Sequence, residues 1–293
     1  MKQIFMRYPG GKDRALTFSY DDAPEADIRF MEILKKNGLK GTFFVNGGRF
    51  APEGTPSRCG KPPHRTMTRS EAIALYRDSG MEVAAHGYTH AFLDLLPGHE
   101  IFQEIHADRL SLEKDFGCLV RGMGNPFGEV GGLARDVIRS YGLAYFRQSG
   151  STENFDLPND WLNFRVTCHH KHPELMELAK KFAEKPVRYA PTMFCVGGHS
   201  WEFDTKDTWC IMEDFASYMA NRPEIWYATI LEICEYTKAF RQIVYSADMR
   251  TMYNPTCQTL YFQIGDSKVY GVNVHTIAPG ETVCLDEIEG GTL

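Results

Sequence analysis

Strand-patterned and helix-patterned segments alternate over about four-fifths of this 293-residue chain, and that alternation predicts an α/β fold. Two further observations sharpen the expectation. The strand–helix pair recurs six or seven times before residue 240, and from Gln242 the pattern changes to short alternating segments, which predicts a small antiparallel β appendage. The expected division is therefore a main domain over 1–240 and an appendage over 241–293.

The elements follow in chain order. A strand over 15–20 leads to a helix over 26–37, where Ile28, Met31 and Leu34 recur three apart, widened by Phe30 and Ile33, before an Asn37-Gly38 stop. A strand at 41–45 precedes an irregular Gly/Pro-rich stretch, 47–67. Thr68 and Glu71 then form a capping box that opens a helix ending near Gly80. After a third strand at 81–85 comes a long amphipathic helix, 97–116, with Phe102, Ile105, Leu112 and Phe116 on one face. Strands near 119–123 and 144–146 flank a short helix at about 133–141. Pro173 fits the first turn of a helix whose stripe is Leu175, Leu178, Ala179 and Phe182. A buried strand at 191–196 is followed by helices over 207–221 and 229–240, with a short strand, 225–227, between them. In the appendage the segments 243–245, 259–264, 268–274 and 282–285 alternate, and Gly265-Asp266-Ser267 signals a hairpin turn.

Composition bounds the function. With 43% hydrophobic and 24% charged residues the chain is an ordinary folded globular protein. Its formal charge of −6 and the lack of any Lys/Arg-rich stripe argue against a nucleic-acid partner. Apolar runs such as 16–18 and 39–45 are far short of the roughly 20 residues a bilayer requires, and 1–20 has no secretory apolar region, so no membrane partner and a cytoplasmic location are expected. The eight cysteines are dispersed without a CxxC, which suits reduced, mostly buried thiols. The appendage carries three basic and six acidic residues, half of the net charge.

Four sites stand directly after predicted strands, where α/β folds assemble active sites. Asp21-Asp22 ends the first strand; two adjacent carboxylates either serve a cation and a base, or form an Asp-rich turn with Asp22 or Asp27 capping the next helix. His86 and His90, spaced HxxxH after the third strand, set two imidazoles one helical turn apart, within reach of one metal ion. Gly122-Met123-Gly124-Asn125-Pro126-Phe127-Gly128 forms a tight turn that is either structural or aims backbone N–H groups at a substrate oxygen. His199 follows a strand and the pair Gly197-Gly198; it is a loop histidine or the second titratable group that hydrolysis needs.

In order and spacing these motifs resemble the polysaccharide deacetylase family, the NodB homology or carbohydrate esterase family 4 group, over about residues 10–240. The resemblance implies a distorted (β/α)7-type barrel and metal-assisted removal of acetyl groups from sugars. It implies Asp21 as catalytic base, Asp22, His86 and His90 as metal ligands, the N–H of Phe127 as an oxyanion donor and His199 as general acid. Zinc is the first expectation for the metal, with cobalt, nickel or manganese as alternatives. The chain departs from the family pattern in three places. Gly124 stands where an arginine usually holds the base, and Arg121 is the candidate to replace it. Ser19-Tyr20 precedes the aspartate pair, which a strand bulge would accommodate. Asp160-Trp161 is a weak match for the Asp–Trp pair that supports the acid histidine.

Trp161 and Trp201, with Phe127, are candidates to line a sugar platform, although aromatic residues serve core packing at least as often. Cys168-His169-His170-Lys171-His172 looks metal-rich but reads first as a strand-to-helix loop on the substrate side, ahead of a second metal site. Cys59 and His64 lack partners at zinc spacing. The expected substrate is a soluble acetylated oligosaccharide or sugar conjugate. The alternatives are hydrolysis of a cyclic amide or imide on the same barrel, and a non-catalytic carbohydrate-binding relative. The appendage is expected to cover an edge or end of the barrel, with a homo-oligomer contact or a share in the cleft as the other readings.

Overall fold

The computed structural model describes residues 3–58, 61, 64–187, 189–265 and 273–290. Strand β1 (Ile4–Arg7) precedes β2 (Arg14–Asp21), α1 (Asp27–Lys36), β3 (Thr42–Val45), α2 (Arg69–Tyr76), β4 (Glu82–Ala85), α3 (Gly98–Phe116) and β5 (Gly122–Gly124). Next come α4 (Gly132–Tyr141), β6 (Tyr145–Ser151), β7 (Phe164–Val166), β8 (Cys168–His169), α5 (Leu175–Glu184) and β9 (Thr192–Gly198). The main domain ends with α6 (Trp201–Lys206), α7 (Trp209–Met219), β10 (Ile225–Tyr227) and α8 (Ile230–Phe240). The remainder is β11 (Val244–Tyr245), β12 (Thr251–Tyr253), β13 (Leu260–Ile264), β14 (Val274–Ile277), β15 (Thr282–Cys284) and α9 (Leu285–Gly290).

The expected barrel is present. Its parallel strands run in the order β7-β6-β5-β4-β3-β2-β9-β8. β7 and β8 belong to one run, whose first half pairs with β6 and whose second half pairs with β9, and Thr167 between them donates its N–H to the Cys195 carbonyl at 2.8 Å. That shared run closes the sheet. It has no counterpart among the strands expected from the sequence, because 164–169 alternates too briefly to register as one. The barrel is distorted at β2: β10 pairs with its N-terminal residues Arg14–Leu16, while β3 pairs with its last three, Ser19–Asp21. No bulge accommodates Ser19-Tyr20. β2 matches β9 residue by residue from Arg14 to Tyr20, and the register shift lies instead between β6 and β7.

The period of two along β2 sorts its side chains. Leu16, Phe18 and Tyr20 face the helical layer and pack with Phe30, Met31 and Leu34 of α1, whereas Ser19 and Asp21 face the barrel mouth. Capping boxes open α2 (Thr68 with Glu71) and α8 (Thr229 with Glu232), and Gly117, in the left-handed region at φ 67°, ends α3. Two expected core residues are exposed instead: Ile28 at the edge of the α1 stripe, and Phe102, which stacks on His106 at the surface of α3. The six-residue α6 directly after Ser200 was not expected; the sequence pattern starts a helix only at 207.

The appendage is built from two three-stranded antiparallel sheets, β1-β13-β14 and β11-β12-β15. The N-terminal strand β1 pairs with β13, so the two chain ends share a sheet across the expected division at residue 240. The appendage residues Leu260, Phe262 and Ile277 share a core with Tyr8, Ala15, Ile230 and Ile233, at the N-terminal end of the barrel strands and opposite the end that carries Asp21. Residues 266–267 of the expected turn and most of the expected strand 268–274 lie outside the described residues. Seven cysteines are described and all are free. No helix among the described residues is long and apolar enough to cross a membrane.

Candidate active site

Asp21 is the last residue of β2. The chain then turns sharply, with Asp22 at φ 75° and its N–H donating to the Phe44 carbonyl at 3.0 Å, so that the two carboxylates diverge. His86 follows β4, and His90, at φ 61°, closes the turn after it. Positive φ at non-glycine residues is strained backbone, held here by the surrounding hydrogen bonds. The Asn46 amide donates to the carbonyls of His86 and Gly87, both at 2.7 Å, and the buried Asp108 carboxylate of α3 accepts the N–H groups of Gly47 and His86 at 2.6 and 2.7 Å.

The side chains of Asp22, His86 and His90 converge, with one ligand atom from each within 4.8 Å of the others. His90 Nε2 is 3.3 Å and His86 Nε2 3.7 Å from Asp22 Oδ1, and on the far side His199 Nε2 is 3.6 Å from Asp22 Oδ2. This set fits a divalent cation. Asp22 Oδ1 and His86 Nε2 are buried without hydrogen-bond partners, while His86 Nδ1 lies 2.9 Å from the Gly124 carbonyl, so the ring proton sits on Nδ1 and Nε2 keeps its lone pair for a metal. Burial pushes His86 down to about 4, which keeps it neutral. Burial works against the Asp22 carboxylate, but the close approach of His90 and the neighbouring His86 and His199 hold it well below the usual range.

Across the barrel mouth, Arg147 of β6 donates from Nη2 to both oxygens of Asp21, at 2.6 and 2.7 Å, and its guanidinium lies over the Phe44 ring. Both side chains are about nine-tenths buried. Gly124 is what admits Arg147: a Cβ there would lie 2.6 Å from Nη2 and 2.8 Å from the Phe44 ring. A cleft of about 310 Å³ opens above this pair, lined among others by Asp21, Asn125, Arg147, His169 and His199.

The model of the polysaccharide deacetylase family matches residues 8–146, the span that carries the aspartate pair, both histidines and the Gly124 turn. Over that span the chain is similar to the polysaccharide deacetylase family. Among solved structures, a candidate polysaccharide deacetylase from Mycobacterium smegmatis shares the fold with a TM-score of 0.55 at 16% identity, over 81% of this chain and 94% of that one. The allantoinase PuuE is alike in fold to the same degree, with a TM-score of 0.55 at 12% identity over 78% of this chain and 91% of that one. No curated protein matches the chain in sequence.

Three residues expected near the centre of the site lie elsewhere. Arg121 stands at the N-terminal end of β5 and pairs with Glu235 of α8, so it does not reach Asp21; Arg147, one strand further on, occupies that place. Trp161 is 2% exposed and packs on Phe164 in the core, and Asp160 pairs with Arg139 at the surface, so neither supports His199. Trp201 lies beside His199, 5.6 Å between ring centroids, and stacks on His64. The Phe127 ring stacks on Phe92 at 3.8 Å and meets the His90 ring edge-on at 4.4 Å, while Asn125 shapes its turn by donating to the Phe127 and Gly128 carbonyls. Among the described residues nothing accepts the Phe127 N–H. Asp27 is buried in the first turn of α1 and accepts hydroxyl hydrogen bonds from Tyr76 and Ser200.

The barrel holds a second group with metal-ligand chemistry, His169, His170 and Glu202. It fits a cation poorly. The Lys171 N–H donates to His169 Nδ1 at 3.1 Å, which places the neutral ring's proton on Nε2, where a metal would need the lone pair, and the Lys171 ammonium already sits on Glu202.

Proposed function

We propose that this protein is a divalent-metal-dependent hydrolase that removes acetyl groups from N-acetylated or O-acetylated sugars. One observation carries the reading: Asp21, Asp22, His86, His90 and His199, scattered over nearly 180 residues of sequence, converge at one end of the barrel around a shared cleft. The similarity to the polysaccharide deacetylase family over 8–146 supports deacetylation as the reaction.

Asp22, His86 and His90 would hold the ion. When bound, zinc or a similar divalent ion polarises an acyl carbonyl and makes water more acidic. Asp21, oriented by Arg147, takes the proton of the attacking water. The Phe127 N–H donates to the carbonyl oxygen as negative charge develops on it. His199 gives a proton to the departing amine nitrogen, which is too poor a leaving group as an anion, and acetate and the free amine separate. For His199, burial opposes the charged form, but the nearby Glu202 carboxylate and the charges of Asp21 and Asp22 outweigh it and raise the pKa, which suits a proton donor. The cleft volume is near the lower end of the roughly 300–1,000 Å³ typical of ligand sites, which favours one sugar ring of a soluble oligosaccharide or conjugate.

The alternative, hydrolysis of a cyclic amide or imide, rests on the absence of the motif arginine at Gly124. Arg147 restores the contact to Asp21, and that reason falls away. The test is acetate release from a panel of soluble N- and O-acetylated sugars, with cyclic amides and imides included, run with chelator and with metal add-back. Acetate release that chelation abolishes and metal restores is expected. Ring opening without acetate, or no turnover in any metal state, overturns the reading.

A further inference from the structure

The histidine-rich run after β8 ends in one carboxylate. Glu202, in the first turn of α6, is 9% exposed. Its Oε2 lies 3.1 Å from His169 Nε2, 3.2 Å from His170 Nε2 and 3.4 Å from the His199 backbone nitrogen, while Oε1 accepts from Lys171. The same Oε2 faces His199 Nδ1 at 3.9 Å, a buried ring nitrogen with no other partner. The opposite ring nitrogen, Nε2, points to Asp22 and the cleft.

We infer that Glu202 is the positioning residue for His199, and that His169, His170 and Lys171 serve to hold that carboxylate in place. This inference rests on the reading of His199 as the acid, and it gives the Cys168–His172 run a role. A carboxylate at Nδ1 keeps a proton there, so Nε2 is left as the atom that carries and gives the transferable one. The contact is long without substrate, as catalytic hydrogen bonds often are before the complex forms. Its supports are built in. A Cβ at Gly198 would lie 2.1 Å from His170 Nδ1, so the glycine before His199 is what admits the His170 ring, and Tyr20 meets the same Nδ1 at 3.1 Å. His169, with Nδ1 accepting from the Lys171 backbone, has only its Nε2–H to offer, and that points at Glu202.

Two measurements test this, one of them independent of activity. In zinc-loaded wild-type protein, histidine ¹⁵N spectra are expected to show His199 protonated at Nδ1; a neutral ring with its proton on Nε2 overturns the inference. In kinetics, Glu202→Gln is expected to lower kcat for an N-acetylated sugar by about 10²-fold with KM nearly unchanged, within the range for loss of a positioned acid. It should leave hydrolysis of 4-nitrophenyl acetate within about threefold, because a nitrophenolate leaves without a proton. The double variant Glu202→Gln/His199→Ala should match His199→Ala alone. Equal loss on both substrates, or additive losses, overturns the inference, as does a second equivalent of zinc that His169→Ala removes. If the wild-type protein hydrolyses nothing, the proposed activity fails while the spectra still decide the role of Glu202.

Discussion

Arg147 and Asp21 meet across the barrel mouth, from β6 to β2, with Nη2 donating to both carboxylate oxygens at 2.6 and 2.7 Å. A buried carboxylate deprived of such a partner is costly, on the order of 3–5 kcal/mol. Arg147→Ala is therefore expected to destabilise the protein by about that amount and to lower kcat at least about 10²-fold. Gly124→Ala should reproduce much of the kinetic loss without touching the charge, because its Cβ would press on Nη2 and Phe44. Denaturant unfolding and steady-state kinetics on both variants check this; a fully active Gly124→Ala contradicts it.

Metal affinity should depend on Asp22 and His90 directly. Asp22→Asn and His90→Ala are expected to weaken zinc binding by more than the roughly 10–100-fold that loss of an outer hydrogen-bond partner costs. Metal content after dialysis against a competing chelator is the measurement. Arg121→Ala, whose side chain pairs with Glu235 away from the site, should retain metal and activity.

Asp27 makes stability depend on pH in a defined direction. Burial pushes its carboxyl up to about 7, against hydrogen bonds from Ser200 and Tyr76 that pull it down. A raised folded-state pKa means that the stabilising contribution is complete below the unfolded value near 4 and is lost as pH rises through 7, up to roughly 4 kcal/mol. Asp27→Asn should flatten that fall. Urea unfolding of both proteins at pH 5 and pH 8 gives the comparison, and parallel losses in the two would refute the assignment.

The cap of α8 should act on stability alone. The Thr229 hydroxyl accepts the Glu232 N–H at 3.2 Å while the Glu232 carboxylate accepts the Thr229 N–H at 2.7 Å. Thr229→Ala is expected to cost about 1 kcal/mol, read as a lower denaturation midpoint, with kcat and KM unchanged.

Much of this was readable in the sequence because it is local. The capping box at Thr68 is a contact three residues apart, and it is present. The strand carrying Asp21 and the HxxxH turn after β4 likewise depend on neighbours in the chain. What failed was the choice of support residues. Arg121 was favoured for its closeness in sequence to Gly124, whereas Arg147 lies 126 residues from Asp21 and reaches it only because β6 and β2 face each other across a closed barrel. Asp160-Trp161 failed similarly, since Trp161 is drawn into the core by burial of its ring. One signal was available: a glycine at 124, where a large side chain is usual, implies that something else fills the space.

The sequence by itself therefore determined the α/β class, most of its elements in order, the appendage and the acidic and histidine residues placed after strands, because periodicity, caps and motif spacing act over a few residues. Only the tertiary structure decided that 164–169 closes the barrel, that β1 joins the C-terminal sheet, that Arg147 holds Asp21 and that Glu202 faces His199. Those are contacts between segments whose separation along the chain carries no information about distance, and they exist because closing the sheet brings the ends of its strands to one rim.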